Sequence, residues 1–290
     1  MVNLFGDNVV NKNSVELTES LADDCEILFF TSATGFHEGF VIPYIYFAEK
    51  SNPNSKFEFI VGDASRFIEK NRLALEWLEN NMRVKPVFRS RDEIAVKPRM
   101  ENAIRFIVQP KQRAKRVYIG DVDIMILENI SDWHKPIFEA GLPYSNMIRP
   151  NSKSLSGLHF SNYDDYYPLP KIYDLIKLVK SDEALLYKIV KRKGKLYDQS
   201  KYNALVKERP VHGIHMSTNR LPFSAHTERV SWCMSYKNAE DCEKILNLEE
   251  FKDFFNTLNN DASQILLNLI FLTRGMTFYG QAFFNKNVRY

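Results

Sequence analysis

The sequence contains few cysteines: Cys25, Cys233 and Cys242 are the only three among 290 residues. An odd number of cysteines, without the close pairs that bind zinc, provides no framework for a disulfide-stabilised fold or a cysteine metal site. We therefore interpret all three as reduced thiols, as expected of a cytoplasmic protein.

Long hydrophobic runs are also missing. The longest, residues 265–272, contains Asn268 and is eight residues long, whereas a membrane-spanning helix needs about 20 apolar residues. The N-terminal residues do not place a basic segment before an apolar one, so no signal peptide is predicted. These absences predict a cytoplasmic protein, whether soluble or held peripherally at the inner face of the membrane.

Neither sign of charge dominates the sequence. The 39 basic and 36 acidic residues give a formal net charge of +3, which is too small to indicate a surface for nucleic acid. The fractions of hydrophobic and charged residues, 44% and 26%, are ordinary for a globular protein. We therefore predict a globular protein that has no nucleic acid partner.

Short apolar runs alternate with helical patterns along the first half of the chain. The predicted strands and helices lie at 25–30, 40–48, 57–61, 64–80, 84–88 and 117–119. This alternation is typical of an α/β fold with a mostly parallel sheet covered by helices. We predict a loose lead-in at 1–24, the α/β domain at 25–236 and a small helical extension at 237–290.

Two aspartates interrupt the apolar sequence after the run at 117–119. Because alternate side chains of an extended chain point to the same side, Asp121 and Asp123 are expected to face together. Two carboxylates that face together repel each other unless a cation lies between them, and Mg²⁺ or Mn²⁺ is the natural occupant. The alternative is that the two acids only decorate the end of a strand, as acidic residues often do.

Two further groups of residues have catalytic or metal-binding side chains. Asp182 and Glu183 continue the apolar stripe of a helical pattern, so they need a partner, a metal or a catalytic task. Equally, Ser181 could cap a new helix whose first turn holds these acids. His212 and His215 are candidates for the imidazole that completes a manganese site beside two carboxylates.

In this order the motifs resemble the metal-dependent GT-A glycosyltransferases, and most of all the group of glycogenin and the bacterial lipopolysaccharide galactosyl- and glucosyltransferases. The resemblance runs from about residue 25 to residue 220. The family's Tyr-Leu-Asp-x-Asp motif corresponds to residues 118–123, with Gly120 inserted. The resemblance implies a Rossmann-like nucleotide-binding sheet and a metal held by Asp121, Asp123 and a histidine, for which His215 is preferred to His212.

The resemblance also implies a donor site and catalytic acids. The turn after the first strand would hold the nucleotide base and ribose, an arginine on the helix before the aspartates would bind the donor, and an Asn-x-Gly-like segment would hold the sugar. The implied donor-binding residues are Thr31, Ser32, Phe36, Arg99, Arg105, Asp121, Ser156, Gly157 and Arg220. Asp182 and Glu183 match the family's acidic element near the anomeric carbon, where only the acid and leucine positions are kept.

The implied protein is a bacterial transferase that moves a sugar from a nucleoside-diphosphate sugar, with UDP preferred, to a glycan or lipid-linked acceptor. Surface polysaccharide or lipopolysaccharide synthesis is the implied process. One rival is a sugar-phosphate nucleotidyltransferase, which is disfavoured because residues 31–39 contain no lysine or arginine. The other is a non-catalytic nucleotide-sugar-binding protein, which would be expected to lose one of the aspartates. The aromatic and basic segment 274–290 is interpreted as a packed tail or as a contact with a membrane or a partner.

Overall fold

The computed structural model describes residues 25–98, 100–206, 212–216 and 236–287. Its strands are β1 (Ile27–Ser32), β2 (Lys56–Val61), β3 (Val87–Ser90), β4 (Arg116–Ile119), β5 (Ile124–Ile126), β6 (Tyr144–Ser145), β7 (Ile148–Arg149), β8 (Ser154–Leu155), β9 (His159–Asn162) and β10 (Gly213–His215). Its α-helices are α1 (Val41–Ser51), α2 (Ala64–Lys70), α3 (Arg72–Met82), α4 (Ile104–Ile107), α5 (Ile130–Glu139), α6 (Tyr163–Tyr166), α7 (Tyr173–Leu178), α8 (Asp182–Arg192), α9 (Gln199–Leu205), α10 (Tyr236–Leu246), α11 (Glu249–Phe255) and α12 (Asn260–Asn287).

The main sheet is mostly parallel, which confirms the predicted fold class. Its strand order is β3-β2-β1-β4-β9-β6. The first four of these strands pair in parallel, and β9 pairs antiparallel with both β4 and β6. The carboxyl ends of β1 and β4 therefore lie side by side, and this edge of the sheet is where an α/β protein places its ligand.

Strand β1 shows why helices cover both faces of the sheet. Its side chains alternate between two cores: Ile27 and Phe29 pack on one face, whereas Leu28 and Phe30 pack on the other. All four side chains are buried. A strand that is apolar on both sides must be covered on both sides, because either face left in water would lose its hydrophobic stabilisation.

The C-terminal helices share one of these cores with the sheet. The ring of Tyr46 on α1 stacks on that of Phe254 on α11, with 4.3 Å between the ring centroids. Ile265 and Leu269 of α12 belong to the same cluster of buried residues as Phe29. No helix within the described ranges has both the length and the apolar character needed to cross a membrane.

Two predicted helices differ from those observed. The pattern at 64–80 forms two helices, because Asn71 ends α2 and begins α3 with its side-chain amide donating to the carbonyl of Phe67. The helix expected before the aspartates, with the donor-binding arginine, is short and consists of a 3₁₀ turn, Glu101–Ala103, followed by the four residues of α4. The first correction follows from an asparagine side chain that competes for backbone hydrogen bonds.

Candidate active site

The two aspartates lie in a turn rather than on an extended chain, so the predicted backbone conformation is wrong. The N–H of Ile124 donates to the carbonyl of Asp121 at 3.4 Å, which closes a turn between β4 and β5. Gly120 makes this turn possible, because a Cβ at that position would lie 2.6 Å from the ring of Tyr118. The turn nevertheless directs Asp121 and Asp123 into the same cavity.

His215 joins the two aspartates. It ends β10, which pairs antiparallel with β5 so that His215 lies opposite Ile124. The Nε2 atom of His215 is 3.8 Å from Oδ1 of Asp123, and one ligand atom from each of Asp121, Asp123 and His215 lies within 4.8 Å of the others. All three residues line a cavity of about 400 Å³. The structure thus assembles the group of residues that the sequence predicted as metal ligands.

The chemistry of this group suits a hard divalent cation. Six ligands at about 2.1 Å from an ion are about 3 to 4.2 Å apart, so ligand atoms that lie within 4.8 Å of one another would have to approach by at most about 1 to 2 Å to bind one ion. Burial raises the pKa of Asp123, and Asp121 raises it too, while His215 and His37 act in the opposite direction. A cation bound between the carboxylates would favour their ionised forms.

Arg105 lies beside the aspartates and is buried, with 5% of its surface exposed. One terminal nitrogen donates to Oδ1 of Asp121 at 2.5 Å and to the carbonyl of Gly120 at 3.1 Å, and the other donates to Oδ2 of Asp182 at 3.2 Å. Burial acts to lower the pKa of Arg105, but the carboxylates of Asp121 and Asp182 together raise it. The guanidinium is therefore a fixed positive charge at this site.

The two predicted catalytic acids are separated in the structure. Ser181 caps α8 by accepting the N–H of Ala184, so the interpretation of Asp182 and Glu183 as first-turn acids is correct for the backbone. Asp182 nevertheless contacts Arg105, and it also accepts the side-chain amide of Asn102 at 3.0 Å. Glu183 pairs instead with Arg149 at 2.7 Å. Of these two acids, only Asp182 forms hydrogen bonds with residues that line the cavity.

The predicted nucleotide-binding residues after β1 lie in different environments. Ser32 lines the cavity. Thr31 is buried, and its hydroxyl donates to the carbonyl of Gly120 at 2.7 Å, so it joins β1 to the aspartate turn. Phe36 lies on a 3₁₀ helix with 76% of its surface exposed and is not among the cavity-lining residues.

The two residues predicted to bind the sugar, Ser156 and Gly157, also lie in different environments. Ser156 is buried, and its N–H donates to Oδ1 of Asn146 at 2.8 Å. A Cβ on Gly157 would lie 3.2 Å from a terminal nitrogen of Arg105 and 3.7 Å from Asp121, so this glycine borders the charged residues. Arg99 and Arg220, predicted to bind the donor, are outside the described residues.

Other residues of the cavity were not predicted from the sequence. Thr34, His37, Glu101 and Asn102 also line it. His37 lowers the pKa of Asp123, so it lies close enough to affect the charge of the candidate metal ligands. Its position in the segment after β1 is the signal that could have identified it, because the loops after parallel strands meet at one edge of the sheet.

His212 does not join the aspartates. Its ring is buried against that of His134, with 2.8 Å between the two Nε2 atoms, and is packed between the rings of Tyr118 and Trp133. The preference for His215 over His212 as the histidine of the metal group therefore agrees with the geometry.

No protein-family model matches the sequence, and no curated protein matches it. Among solved structures, the chain is similar to the glycosyltransferase GlyE of Streptococcus pneumoniae, at 13% identity and a TM-score of 0.37, over 63% of this chain and 44% of GlyE. The apo form of GlyE matches at 12% identity and a TM-score of 0.46, over 79% and 62% of the two chains. An active-site mutant of LgtC matches at 9% identity and a TM-score of 0.43, over 79% of this chain and 99% of LgtC. The chain spans less than two-thirds of the GlyE chains, and these similarities concern the fold alone.

Proposed function

We propose that the protein is a metal-dependent glycosyltransferase that takes its sugar from a nucleoside-diphosphate sugar. The observation that carries this proposal is the group Asp121, Asp123 and His215, which faces the same cavity as the buried Arg105. The cavity lies beyond the carboxyl ends of parallel strands, where α/β proteins bind nucleotides. Its volume of about 400 Å³ is within the range of sites for small ligands.

The charges of the cavity explain why a cation is part of the proposal. Among the described residues, the carboxylates of Asp121 and Asp123 line it beside one guanidinium, that of Arg105, whereas Glu101, which also lines it, is paired with Arg91. A pyrophosphate would be repelled by this balance. A divalent cation bound by Asp121, Asp123 and His215 would reverse the balance and stabilise the negative charge that develops on the leaving diphosphate.

Arg105 would contribute a second, permanent positive charge. In the structure it donates to Asp121 on one side and to Asp182 on the other. Asp182 therefore keeps the guanidinium in place when Asp121 turns to bind a cation and the donor enters. This orientation is the role that we propose for Asp182, and fixed charge near a leaving phosphate is the role that we propose for Arg105.

Gly157 provides the space that a donor sugar needs. Any side chain at this position would approach the guanidinium of Arg105 within 3.2 Å. The glycine therefore leaves the charged groups accessible from one side. We propose that the transferred sugar lies there, as the resemblance of residues 155–157 to the family's sugar-binding segment implies.

The finer parts of the proposal rest on the sequence motifs. They are UDP as the nucleotide, Mn²⁺ or Mg²⁺ as the ion, and a glycan or lipid-linked acceptor used in the synthesis of a surface polysaccharide at the cytoplasmic face of the membrane. The resemblance of residues 25–220 to the GT-A glycosyltransferases supports these choices.

Thermal melting with and without metal tests the proposal. UDP or GDP should raise the melting temperature when Mn²⁺ or Mg²⁺ is present and should have no effect in EDTA, because the cavity needs the cation to accept a pyrophosphate. A screen of nucleotide sugars for release of nucleoside diphosphate then identifies the donor. Equal stabilisation by nucleotide with and without metal would contradict the proposal.

A further inference from the structure

A second group of polar side chains is buried near the start of β10, the strand that ends with His215. The Nε2 atoms of His134 and His212 are 2.8 Å apart, and Nδ1 of His134 is 2.7 Å from the hydroxyl of Ser145. The Nδ1 atom of His212 is 3.7 Å from the carboxylate of Glu128. His134, Ser145 and His212 are each at most 4% exposed, so this chain of contacts is shielded from water.

The distance of 2.8 Å between the two Nε2 atoms requires one of them to donate and the other to accept, so the two imidazoles share one proton there. If both Nε2 atoms carried a proton, two donors would face each other at 2.8 Å. Burial lowers the pKa of His134 well below its ordinary value, and the nearby His212 and Arg116 lower it further. We assign the proton of His212 to Nδ1, on the side of the Glu128 carboxylate, so that Ser145 donates to His134 and His134 donates to His212.

These contacts fix the start of the strand that carries His215. His212 immediately precedes β10, which has only three residues. Its φ of +65° is a left-handed conformation that costs free energy for a residue with a side chain, so surrounding contacts must hold it. Its carbonyl accepts the N–H of Leu127 at 2.7 Å, and its ring is held by His134.

The rest of β10 is equally constrained. A Cβ on Gly213 would lie 1.7 Å from the carbonyl oxygen of Met125, so the strand is pressed against β5. The side chain of Asn238 donates to the carbonyl of Gly213 at 2.9 Å. The N–H of Met216 donates to the carbonyl of Asp123 at 2.7 Å. These contacts hold the three-residue strand in one register against β5, so His212 and His215 lie on a short segment that is placed as a unit.

We propose that His134 is a positioning residue for the metal site: through its hydrogen bond to His212 it holds β10 so that His215 reaches Asp123. The inference rests on the proposed function, because it takes His215 to be a metal ligand. His134 would touch neither metal nor donor. His134 lies on α5, so this helix would influence the affinity of the cavity for a cation.

Mn²⁺ titration of the full-length protein, followed by calorimetry or by the electron paramagnetic resonance of free Mn²⁺, tests this role. His134→Phe keeps a flat ring but removes the donor to His212, and it should raise the Kd for Mn²⁺ about tenfold, the low end of the effect of losing a group that orients a metal ligand. His134→Gln should restore affinity to within about twofold, since its amide can donate to His212.

The controls separate positioning from general support of the fold. If His134→Phe lowers the melting temperature but leaves the Kd for Mn²⁺ unchanged, the histidine only supports the fold and the inference is overturned. If His134→Phe does not fold, Ser145→Ala replaces it, because it removes only the hydroxyl that orients His134, and it should weaken Mn²⁺ binding in the same direction. Unchanged Mn²⁺ affinity in Ser145→Ala would then overturn the inference. Failure of the unaltered protein to bind Mn²⁺ would overturn the metal site itself, and the proposed function with it.

Discussion

At the scale of single residues, the candidate site keeps acidic side chains in a partly buried cavity, where burial makes their ionised forms less favourable. Asp121 and Asp123 approach each other there at a cost in free energy. Arg105 offsets part of this cost by pairing with Asp121. A site arranged for a cation is expected to be suboptimal for the stability of the metal-free protein.

Asp123→Asn tests this cost. The amide carries no charge, so the metal-free protein should melt at the same temperature or higher, because burial of the charged carboxylate is no longer required. Stabilisation by UDP with Mn²⁺ should be lost, because one metal ligand is gone. Differential scanning fluorimetry of both proteins, with and without Mn²⁺ and UDP, measures the two effects. A large loss of stability in EDTA would show that Asp123 is needed for the fold.

Glu49 is a buried acid outside the cavity that should make stability depend on pH. Its side chain accepts the N–H groups of Asn54 and Ser55 and is 6% exposed. Burial raises its pKa to about 7, although these two hydrogen bonds act in the opposite direction. A carboxyl whose pKa is higher in the folded state stabilises the protein below its unfolded pKa, and that stabilisation is lost as the pH rises through the folded pKa.

The free energy of unfolding should therefore fall by about 2 kcal/mol between about pH 5 and pH 8 through this one group. Glu49→Gln should flatten this part of the pH profile, because an amide does not titrate. Urea unfolding at several pH values gives the measurement. Glu69→Gln, which changes an exposed glutamate, is the matched control and should leave the profile as it is; an unaltered profile in Glu49→Gln would contradict the assignment.

At the scale of elements, the first turn of α8 brings an acid to the cavity. Asp182 and Glu183 are adjacent in sequence, but the helix directs them to different partners, Arg105 and Arg149. The sequence predicted both as catalytic because it could not show which side of the helix faces the site. The contact with Arg105 is the reason that we propose a role at the site for Asp182 and not for Glu183.

Asp182→Asn should separate donor turnover from metal binding. Arg105 could still donate to the amide oxygen but would lose the negative charge of its second partner, so kcat/KM for the nucleotide sugar should fall about tenfold, while the Kd for Mn²⁺ changes little. Glu183→Gln is the matched control and should behave as the unaltered protein. If Asp182→Asn and Glu183→Gln changed kcat/KM equally, the contact with Arg105 would not explain the role of Asp182.

The turn that holds the aspartates depends on Gly120. Gly120→Ala places a methyl group 2.6 Å from a ring carbon of Tyr118, which is buried. We expect a loss of about 1–3 kcal/mol in the free energy of unfolding, together with weaker Mn²⁺ binding, because the turn must shift. Chemical denaturation and Mn²⁺ titration measure the two effects.

A double substitution checks the cause. Tyr118→Leu removes the ring that the new methyl group would meet, so the cost of Gly120→Ala should be smaller in that background than in the unaltered protein. Additive costs would mean that the glycine is required for another reason.

At the scale of the whole molecule, short-range patterns predicted the elements better than their pairing. The apolar run at 117–119 identifies β4, because a strand buried on both faces is apolar throughout. The position of His212 could not be predicted in the same way. Its role depends on His134, on another element, and on a left-handed backbone conformation that the identity of the residue does not indicate.

The site shows the same limit. Asp121 and Asp123 were predicted as metal ligands because two carboxylates that face together repel each other unless a cation lies between them. The turn that presents them could not be derived from the two-residue repeat of a strand. His37 follows β1 and so belongs to the expected edge of the sheet, but the sequence does not show which side chains of that segment approach Asp123.

The C-terminal helices were predicted as a small extension, but their packing makes them part of the main core. The rings of Tyr46 and Phe254 stack at 4.3 Å, and Trp77 packs on the same phenylalanine at 5.2 Å. A core shared by two parts of a chain couples their stabilities, so the helices and the sheet should unfold in one transition.

Phe254→Ala tests this coupling. Loss of a fully buried ring should cost about 3–5 kcal/mol and should lower the melting temperature of the whole protein, because the cavity opens in a core that belongs to both parts. Phe255→Ala, which changes a partly buried neighbour on the same helix, should cost clearly less. Far-ultraviolet circular dichroism follows all the helices, the fluorescence of the three tryptophans follows the surroundings of their rings, and coincident transitions are expected. If helical signal were lost well before the tryptophan signal, the C-terminal helices would be an independent unit whose packing contributes little to the site.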